Sequence, residues 1–529
     1  MRHCIRRLPQ PKSYSMNGQP VYPLAHVLIT DAFALAYTIT EPPSWVVLSV
    51  FSLIGLFVVF HRFWSLRNLD ILLVLAFIPG FMLVYEGQQE SDAQAASVLA
   101  NDSTKDTTDL DPTRDALGGS QANPPAQASK QTASVTTIAG GEAAIAAKSK
   151  LYWGYLILLV CCGLLMLRML WDTGIVRRPL LEPNLNSGGM LFIGISLLVF
   201  LLVNIALSTP RPRPLGLGAS GMISGAGPGS VLIRSIPSIE TMQSARDSES
   251  RSGATNVAVA QSQQQPLNAL IPRILAIGAN LILIVSIVGI GYWHFGSFNT
   301  GVGTATLYLL LPYTAHTAGS VDHVVPGSLL LLALLMYRQP FLAGLFLGLA
   351  AGVVYYPFFL LPLWCSFYWQ RGVRRFALGF AFSIAILILA IALSRQGDFL
   401  MNLGYMFGIK QVEMRELELG GIWGLGWHPL IRIPIIVVFV ILSMSFVVWP
   451  AQKNLATLMG CSAALMAAAQ FWHGFGGGLF LAWFLPFAIL TIFRPNLDYC
   501  VALEVVRTWR KRTKAPAKEE TQAPPMAAA

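Results

Sequence analysis

Long apolar runs separated by short polar turns dominate the chain. Several runs reach the roughly 17 to 25 residues that a helix needs to cross a bilayer, and a helix satisfies its own backbone hydrogen bonds there. This pattern predicts an all-α fold, a polytopic membrane helix bundle of about 10–12 helices that include short broken ones. The predicted spans outside the central segment discussed below are Trp45–Phe60, Leu69–Tyr85, Leu151–Leu170, Gly189–Leu207, Ile271–Tyr292, Phe376–Leu393, Ile431–Trp449, Leu455–Phe471 and Leu479–Phe493.

Two long polar stretches interrupt this pattern. Glu86 to about Lys148 is rich in Ala, Ser, Thr, Gln and Asp, and Pro210–Pro266 is rich in Gly, Ser and Gln. Such compositions bury too little apolar surface to fold alone, so both are predicted to be disordered loops. The predicted divisions are membrane segments at 1–86, a loop at 87–150, a membrane hairpin at 151–208, a loop at 209–268, a membrane core at 269–494 and a basic tail at 495–529.

Composition and charge agree with a membrane protein. Of the 529 residues, 54% are hydrophobic and only 12% are charged. The net charge of +10 is concentrated in short turns and the C-terminal tail, which favours anionic lipid and topology rather than nucleic acid as its explanation. The positive-inside rule then places the tail in the cytoplasm and both polar loops outside a plasma or bacterial inner membrane. The moderately apolar stretch Val21–Thr40 is either a weak first span or a helix in the membrane interface.

The segment Thr304–Arg375 is almost wholly apolar but is broken by five prolines and one aspartate. Arg338 and Arg371 both belong on the cytoplasmic side, yet the chain between them is too short for two full crossings at about 1.5 Å per residue. We therefore predict two short half-helices, Phe341–Val353 and Pro357–Tyr368, that meet near Tyr355, Tyr356 and Pro357 inside the protein. Gly344, Gly348 and Gly352 recur every four residues, which predicts close helix packing.

Asp322 is the main candidate for chemistry in this segment. A carboxylate close to the bilayer is costly and is a functional candidate as a general base, metal ligand or coupling site. The alternative is structural, with Ser320 or Asp322 capping a helix that Pro326 begins. His323 either carries protons or is an ordinary solvated histidine.

Two later stretches contain further polar candidates. Lys410, Arg415 and nearby glutamates precede Trp423, Trp427 and His428, which is typical of a helix at the headgroup level. The alternative is that Lys410 or Arg415 binds a lipid phosphate. Trp472 and His473 precede the sequence GFGGG at Gly474–Gly478, which predicts a flexible outer turn, with a sugar-stacking or histidine-assisted role as the alternative. The sequence contains no P-loop, GxSxG or HExxH motif.

The stretch Leu311–Trp364 resembles GT-C-type polytopic membrane glycosyltransferases, in particular bacterial mannosyltransferase-like proteins that use polyprenyl-phosphate sugars. The matching pieces are Pro312 with Tyr313, Val321 with Asp322, Arg338 with Pro340, the LAGLFLGLAAG run, and Tyr356 with Pro357. Val354 stands where such proteins often carry a lysine.

This resemblance implies transfer of a sugar from a polyprenyl-phosphate donor on the extracytoplasmic face. It implies that Asp322 or Glu86 is the catalytic carboxylate. Glu90 and Asp92, in the same predicted loop as Glu86, are weaker candidates for this role. Lys410, Arg415 or Arg432 would contact the lipid phosphate. Candidate substrate-binding residues are His323, Lys410, Arg415, His428, Arg432 and His473. No cofactor is predicted, a divalent metal is left open, and membrane lipid is the expected partner. There are two alternative functions. One is a transporter or flippase, although the scarcity of charge in the spans argues against it, and the other is a non-catalytic scaffold.

Overall fold

The computed structural model describes residues 44–108, 126–174, 183–208, 210–211, 238–239, 266–393 and 421–506, except Phe63 and Phe475. Val21–Thr40, Arg177, Arg178 and the tail beyond 506 lie outside the described residues. Residues 1–48 and 49–529 separate as two units, and of the first unit only the start of helix α1 is described. The helices are α1 Ser44–Phe57, α2 Leu66–Leu75, α3 Phe77–Thr108, α4 Ala126–Asp172, α5 Ser187–Leu207, α6 Pro266–Trp293, α7 Phe298–Leu310, α8 Pro312–Thr317, α9 Val321–Leu335, α10 Pro340–Val353, α11 Leu361–Phe367, α12 Val373–Leu393, α13 Arg432–Ser445, α14 Leu455–Ala469, α15 Leu485–Phe493 and α16 Ala502–Val505.

The fold is an all-α polytopic helix bundle, as predicted. Five helical stretches of the described residues are long and apolar enough to cross a membrane, and six shorter apolar helices accompany them. The predicted final span, Leu479–Phe493, is broken: a 3₁₀ turn at Leu481–Trp483 precedes α15, which begins at Leu485 with Pro486 in its first turn. A proline fits there because it lacks the N–H that a helix interior would need.

The first predicted loop is largely helical, which corrects the sequence prediction. Helix α3 continues to Thr108, and α4 begins at Ala126, so residues 87–108 and 126–150 extend two spans; residues 109–125 lie outside the described residues. Alanine and glutamine favour helix even in polar sequence. Near the membrane the two helices pack closely: a Cβ added at Gly154 would lie 2.8 Å from the Val84 backbone nitrogen.

The second predicted loop is described at only a few positions. Pro210–Arg211 and Ser238–Ile239 form a two-residue antiparallel pair, β1 with β2. Helix α6 then begins at Pro266, before the predicted start of the membrane core. The remaining residues of this loop lie outside the described part of the chain.

The predicted pair of short helices in the central segment is confirmed. Helix α10 has 14 residues and spans about 21 Å, less than the roughly 30 Å of a hydrocarbon core. A 3₁₀ turn at Tyr356–Leu360 and α11 then return the chain to Arg371, whose Nη1 donates to the Val506 carbonyl. Arg338 lies beside the same C-terminal residues, so both arginines lie at one end of the bundle, here called the Arg338 end.

The small residues of α10 pack against α12, also as predicted. A Cβ on Gly344 would lie 2.9 Å from the Phe376 carbonyl carbon, and one on Gly348 would lie 2.9 Å from the Phe380 carbonyl oxygen. Backbone atoms cannot move aside as flexible side chains do, so only glycine permits this spacing. The close packing fixes the short helix pair in the bundle.

A buried chain of alternating charges joins α2, α4 and the end of α15, and sequence reasoning missed it. Arg168 donates to both oxygens of Asp70, at 2.6 and 2.9 Å, and also to Asp172 at 3.2 Å. Arg494 donates to the other Asp172 oxygen at 2.8 Å. All four side chains are at most 11% exposed. These charges neutralise one another, so the chain is a structural link between helices.

Candidate functional site

Asp322 lies in the first turn of α9, at the end of the bundle opposite Arg338; we call this the Asp322 end. The helix begins at Val321 rather than at Pro326, and Ser320 stands at the N-cap position without a side-chain capping bond. The Asp322 side chain is half-buried, and its backbone carbonyl accepts a hydrogen bond from Trp483 Nε1 at 3.2 Å. A negative charge is stabilised at a helix N-terminus by the helix dipole.

His323 is held in a fixed orientation beside Asp322. Its Nδ1 lies 3.1 Å from the hydroxyl of Tyr313, and that hydroxyl accepts from the Ala482 backbone N–H at 3.1 Å. These two contacts fix the position of the Tyr313 hydroxyl and of the His323 ring beside it. Phe480 stacks on the ring, with centroids 4.4 Å apart. This fixed ring argues against an ordinary solvated histidine.

His473 is buried next to His323. Its ring contacts Phe480, Trp483 and Tyr356 at centroid distances of 4.4, 5.8 and 5.3 Å. Burial, together with the positive charges of Arg432 and His323, lowers the pKa of His473 to about 3. His473 is therefore neutral at physiological pH and can only exchange hydrogen bonds there.

The glycine turn after His473 is packed rather than flexible, which corrects the sequence prediction. Gly476 and Gly478 adopt φ of +92° and +96°, which side chains rarely tolerate. The Gly478 N–H donates to Gln470 Oε1 at 3.0 Å, and a Cβ at Gly478 would lie 2.8 Å from Leu158 Cβ. The turn therefore holds His473 and Phe480 rigidly against α4.

Arg432 contacts two tryptophans, and each of the three side chains has a buried N–H group. Arg432 Nη2 donates to the Trp472 carbonyl at 2.8 Å, and its guanidinium lies 5.9 Å from the centroid of the Trp423 ring. Arg432 Nε, Trp423 Nε1 and Trp472 Nε1 are buried and have no acceptor among the described residues. A buried donor without a partner costs about 1–3 kcal/mol. Because all three groups are donors, a ligand with several acceptor oxygens would satisfy them.

The tip of the short helix pair completes this region with aromatic rings. Tyr355 and Tyr356 stack with centroids 4.4 Å apart, and Trp472 lies 4.9 Å from Tyr356 and 5.4 Å from Phe439. Aromatic faces of this kind can bind the apolar faces of sugars or an isoprenoid chain.

Glu86 lies on α3, where its neighbour Tyr85 contacts His316, a residue that sequence reasoning did not select. Lys150 Nζ is 3.6 Å from Glu86 Oε2 and 2.5 Å from Glu90 Oε1. The Tyr85 and His316 rings are 4.0 Å apart. Glu86 therefore lies towards the Asp322 end, where it shares Lys150 with Glu90. His316 lies between Tyr313 and Asp322 in the sequence, and that position is the signal that could have identified it.

Of the remaining predicted residues, His428 is described and is not brought into the site. His428 is exposed, and its Nδ1 accepts a hydrogen bond from the Leu430 N–H at 3.3 Å. Lys410 and Arg415 lie outside the described residues, and so does the side chain of Asp92. Within the described part of the chain, no three His, Cys, Asp or Glu side chains are grouped as metal ligands.

Comparisons with protein-family models, with curated proteins and with solved structures give no match to this chain.

Proposed function

We propose that this membrane protein is a glycosyltransferase that transfers a sugar from a polyprenyl-phosphate donor to an acceptor hydroxyl. The Asp322 end would face the extracytoplasmic side of the cell inner membrane, and the C-terminus would lie in the cytoplasm. The observation that carries the proposal is the set of three buried N–H donors at Arg432, Trp423 and Trp472. A phosphate group bound there would supply the missing acceptors, and the cation of Arg432 would offset its charge.

Asp322 is the proposed general base. In the reaction, the acceptor oxygen forms a bond to C1 of the sugar while the bond from C1 to the phosphate oxygen breaks. The electron pair of the broken bond stays on the lipid phosphate, and the acceptor proton passes to the Asp322 carboxylate. We favour Asp322 over Glu86 because Glu86 already has a cation, Lys150, 3.6 Å away, which it shares with Glu90.

The neighbouring residues would position the reactants. His323 would contact a reactant from a ring fixed by Tyr313 and Phe480, and His473, neutral at physiological pH, adds no positive charge beside it. The rings of Tyr355 and Trp472 would bind the sugar or the first isoprenoid units. Holding both reactants in place supplies much of the rate enhancement in such a reaction.

The direct test is a transfer assay on membranes that contain the protein, with a panel of radiolabelled polyprenyl-phosphate sugars. Asp322→Asn should reduce transfer by about 10²–10⁴-fold and Arg432→Gln by about 10²–10³-fold. The matched control is Asp498→Asn, which changes an exposed carboxylate at the Arg338 end and should leave transfer unchanged.

Wild-type protein that transfers none of the sugars in the panel would contradict the proposal, and so would activity that survives both changes. Translocation of the lipid across the membrane without sugar transfer would identify the transporter alternative instead. A folding defect is recognised separately, because the amount of protein in the membrane and its unfolding temperature are measured for every variant.

A further inference from the structure

A cavity at the Arg338 end is separate from the proposed reaction site. Its volume is about 1070 Å³, and it lies between the start of α10, the start of α12 and the short helix α16. Arg338, Arg375 and Glu504 are the charged side chains of its lining, so two positive charges face one negative charge. The lining therefore has an excess of one positive charge, which favours an anionic occupant.

The cavity is a formed structure rather than a gap between loose segments. Arg371 Nη1 donates to the carbonyls of Leu503 and Val506 and thereby fixes α16 to the turn before α12. The guanidinium of Arg338 lies 5.8 Å from the Tyr337 ring centroid, and its Nε is 3.4 Å from the Tyr337 hydroxyl. These contacts hold one cation at the cavity mouth before any ligand arrives.

An exposed apolar stripe leads away from the cavity along α12. Leu378, Phe382, Ile386 and Leu389 are 64, 52, 44 and 59% exposed and recur every three or four residues, so they share one helix face. Phe341 lines the cavity, and its ring centroid is 6.2 Å from that of Phe382. A charged cavity thus continues directly into an apolar surface.

We infer that this cavity binds the phosphate headgroup of an anionic phospholipid, whose acyl chains lie along the α12 stripe. The pairing of a basic cavity with an apolar stripe matches the two halves of such a lipid, and basic pockets between membrane helices bind anionic headgroups in this way. A bound lipid stabilises the folded bundle, because it binds the assembled cavity and not the separated helices.

Native mass spectrometry of the detergent-purified protein tests this inference, with dioleoyl phosphatidylglycerol and dioleoyl phosphatidylcholine as probes. The wild type should bind phosphatidylglycerol more tightly than phosphatidylcholine. The double variant Arg338→Gln with Arg375→Gln should weaken phosphatidylglycerol binding by about tenfold or more, since it removes both charge-assisted contacts. Arg374→Gln is the matched control, because Arg374 is exposed beside Arg375 but lies outside the cavity lining.

Glu504→Gln should change the affinity for phosphatidylglycerol in the opposite direction. It removes the negative charge from the cavity lining and should therefore tighten phosphatidylglycerol binding. Equal binding of the two lipids would overturn the inference, and so would equal losses in the double variant and in Arg374→Gln. A protein dimer that forms without lipid and is lost only in the double variant would show that a second copy occupies the surface instead. Unfolding temperatures in phosphatidylcholine nanodiscs must be the same for all variants.

Discussion

The two ends of the bundle use arginine in different ways. Near the Arg338 end, Arg168 and Arg494 direct their donors at the buried carboxylates of Asp70 and Asp172. At the Asp322 end, Arg432 donates to one backbone carbonyl and keeps a buried Nε without an acceptor among the described residues. The comparison teaches that a buried arginine paired with carboxylates stabilises the fold. A buried arginine that has an N–H group without an acceptor can instead bind a ligand.

The largest expected effect on stability is at Arg168. Arg168→Met leaves the buried carboxylates of Asp70 and Asp172 short of a cation, so we expect the free energy of unfolding to fall by about 3–5 kcal/mol. Unfolding by denaturant in mild detergent, followed by tryptophan fluorescence, measures this loss. Glu90→Gln is the control: the Glu90 side chain is 41% exposed in its pair with Lys150, and its loss should cost at most about 1 kcal/mol. Equal costs for the two variants would remove the distinction between the buried chain and an ordinary ion pair.

A smaller effect is expected where α10 holds the tip of the short helix pair at the Asp322 end. Gly344→Ala would force a Cβ against the Phe376 backbone and should destabilise the protein by about 1–3 kcal/mol. Gly278→Ala, in α6, is the matched change, since a Cβ there meets no atom within 4 Å. It should be neutral or stabilising by up to about 1 kcal/mol. The same denaturant unfolding assay compares both variants, and an alanine at 344 that costs no stability would show that α10 and α12 are not packed as closely as described.

The smallest expected effect is on the pH dependence of stability. The pKa of His473 falls from 6.5 to about 3 on folding because of burial, so the unfolded chain binds more protons between these values. Stability is therefore complete above pH 6.5 and decreases as the pH falls towards 3, by about 1 kcal/mol between pH 6.5 and 5.5. His294, at the Arg338 end, adds the same trend because burial lowers its pKa to about 4.

His473→Gln should therefore reduce this slope without abolishing it. The measurement is the unfolding free energy at pH 7.5, 6.5 and 5.5. His428→Gln serves as the comparison variant, because His428 is exposed whereas His473 is buried. A slope that His428→Gln changes and His473→Gln leaves intact would contradict the burial of His473.

The short helix pair could be predicted from sequence because two charges set its length. Arg338 and Arg371 had to lie on one side of the membrane, and the chain between them allowed only two half-helices. The polar extensions of helices α3 and α4 could not be predicted from hydropathy, because a segment of low hydrophobicity is predicted to be a loop. Helix propensity and pairing between Lys150 and the α3 glutamates extend these helices without an apolar core.

The site was predictable as residue types but not as an arrangement. The sequence shows four polar residues in apolar surroundings, namely Asp322, His323, Arg432 and His473. Whether these side chains lie close together depends on how the turn 470–484 packs against α9. Arg168 and Asp70 are 98 positions apart, and no local pattern indicates that they pair. Packing between distant helices, which hydropathy does not encode, decides both arrangements.

The most direct test of the contrast between the two ends measures sugar transfer and unfolding free energy together for Arg432→Gln and Arg494→Gln. We predict that Arg432→Gln lowers transfer by about 10²–10³-fold but costs no more than about 1–2 kcal/mol of stability. Arg494→Gln should cost about 3–5 kcal/mol, while its folded fraction keeps the wild-type transfer rate. If both variants lose stability alike and the folded fraction of Arg432→Gln still transfers sugar at the wild-type rate, Arg432 is a structural residue and the proposed phosphate site is wrong.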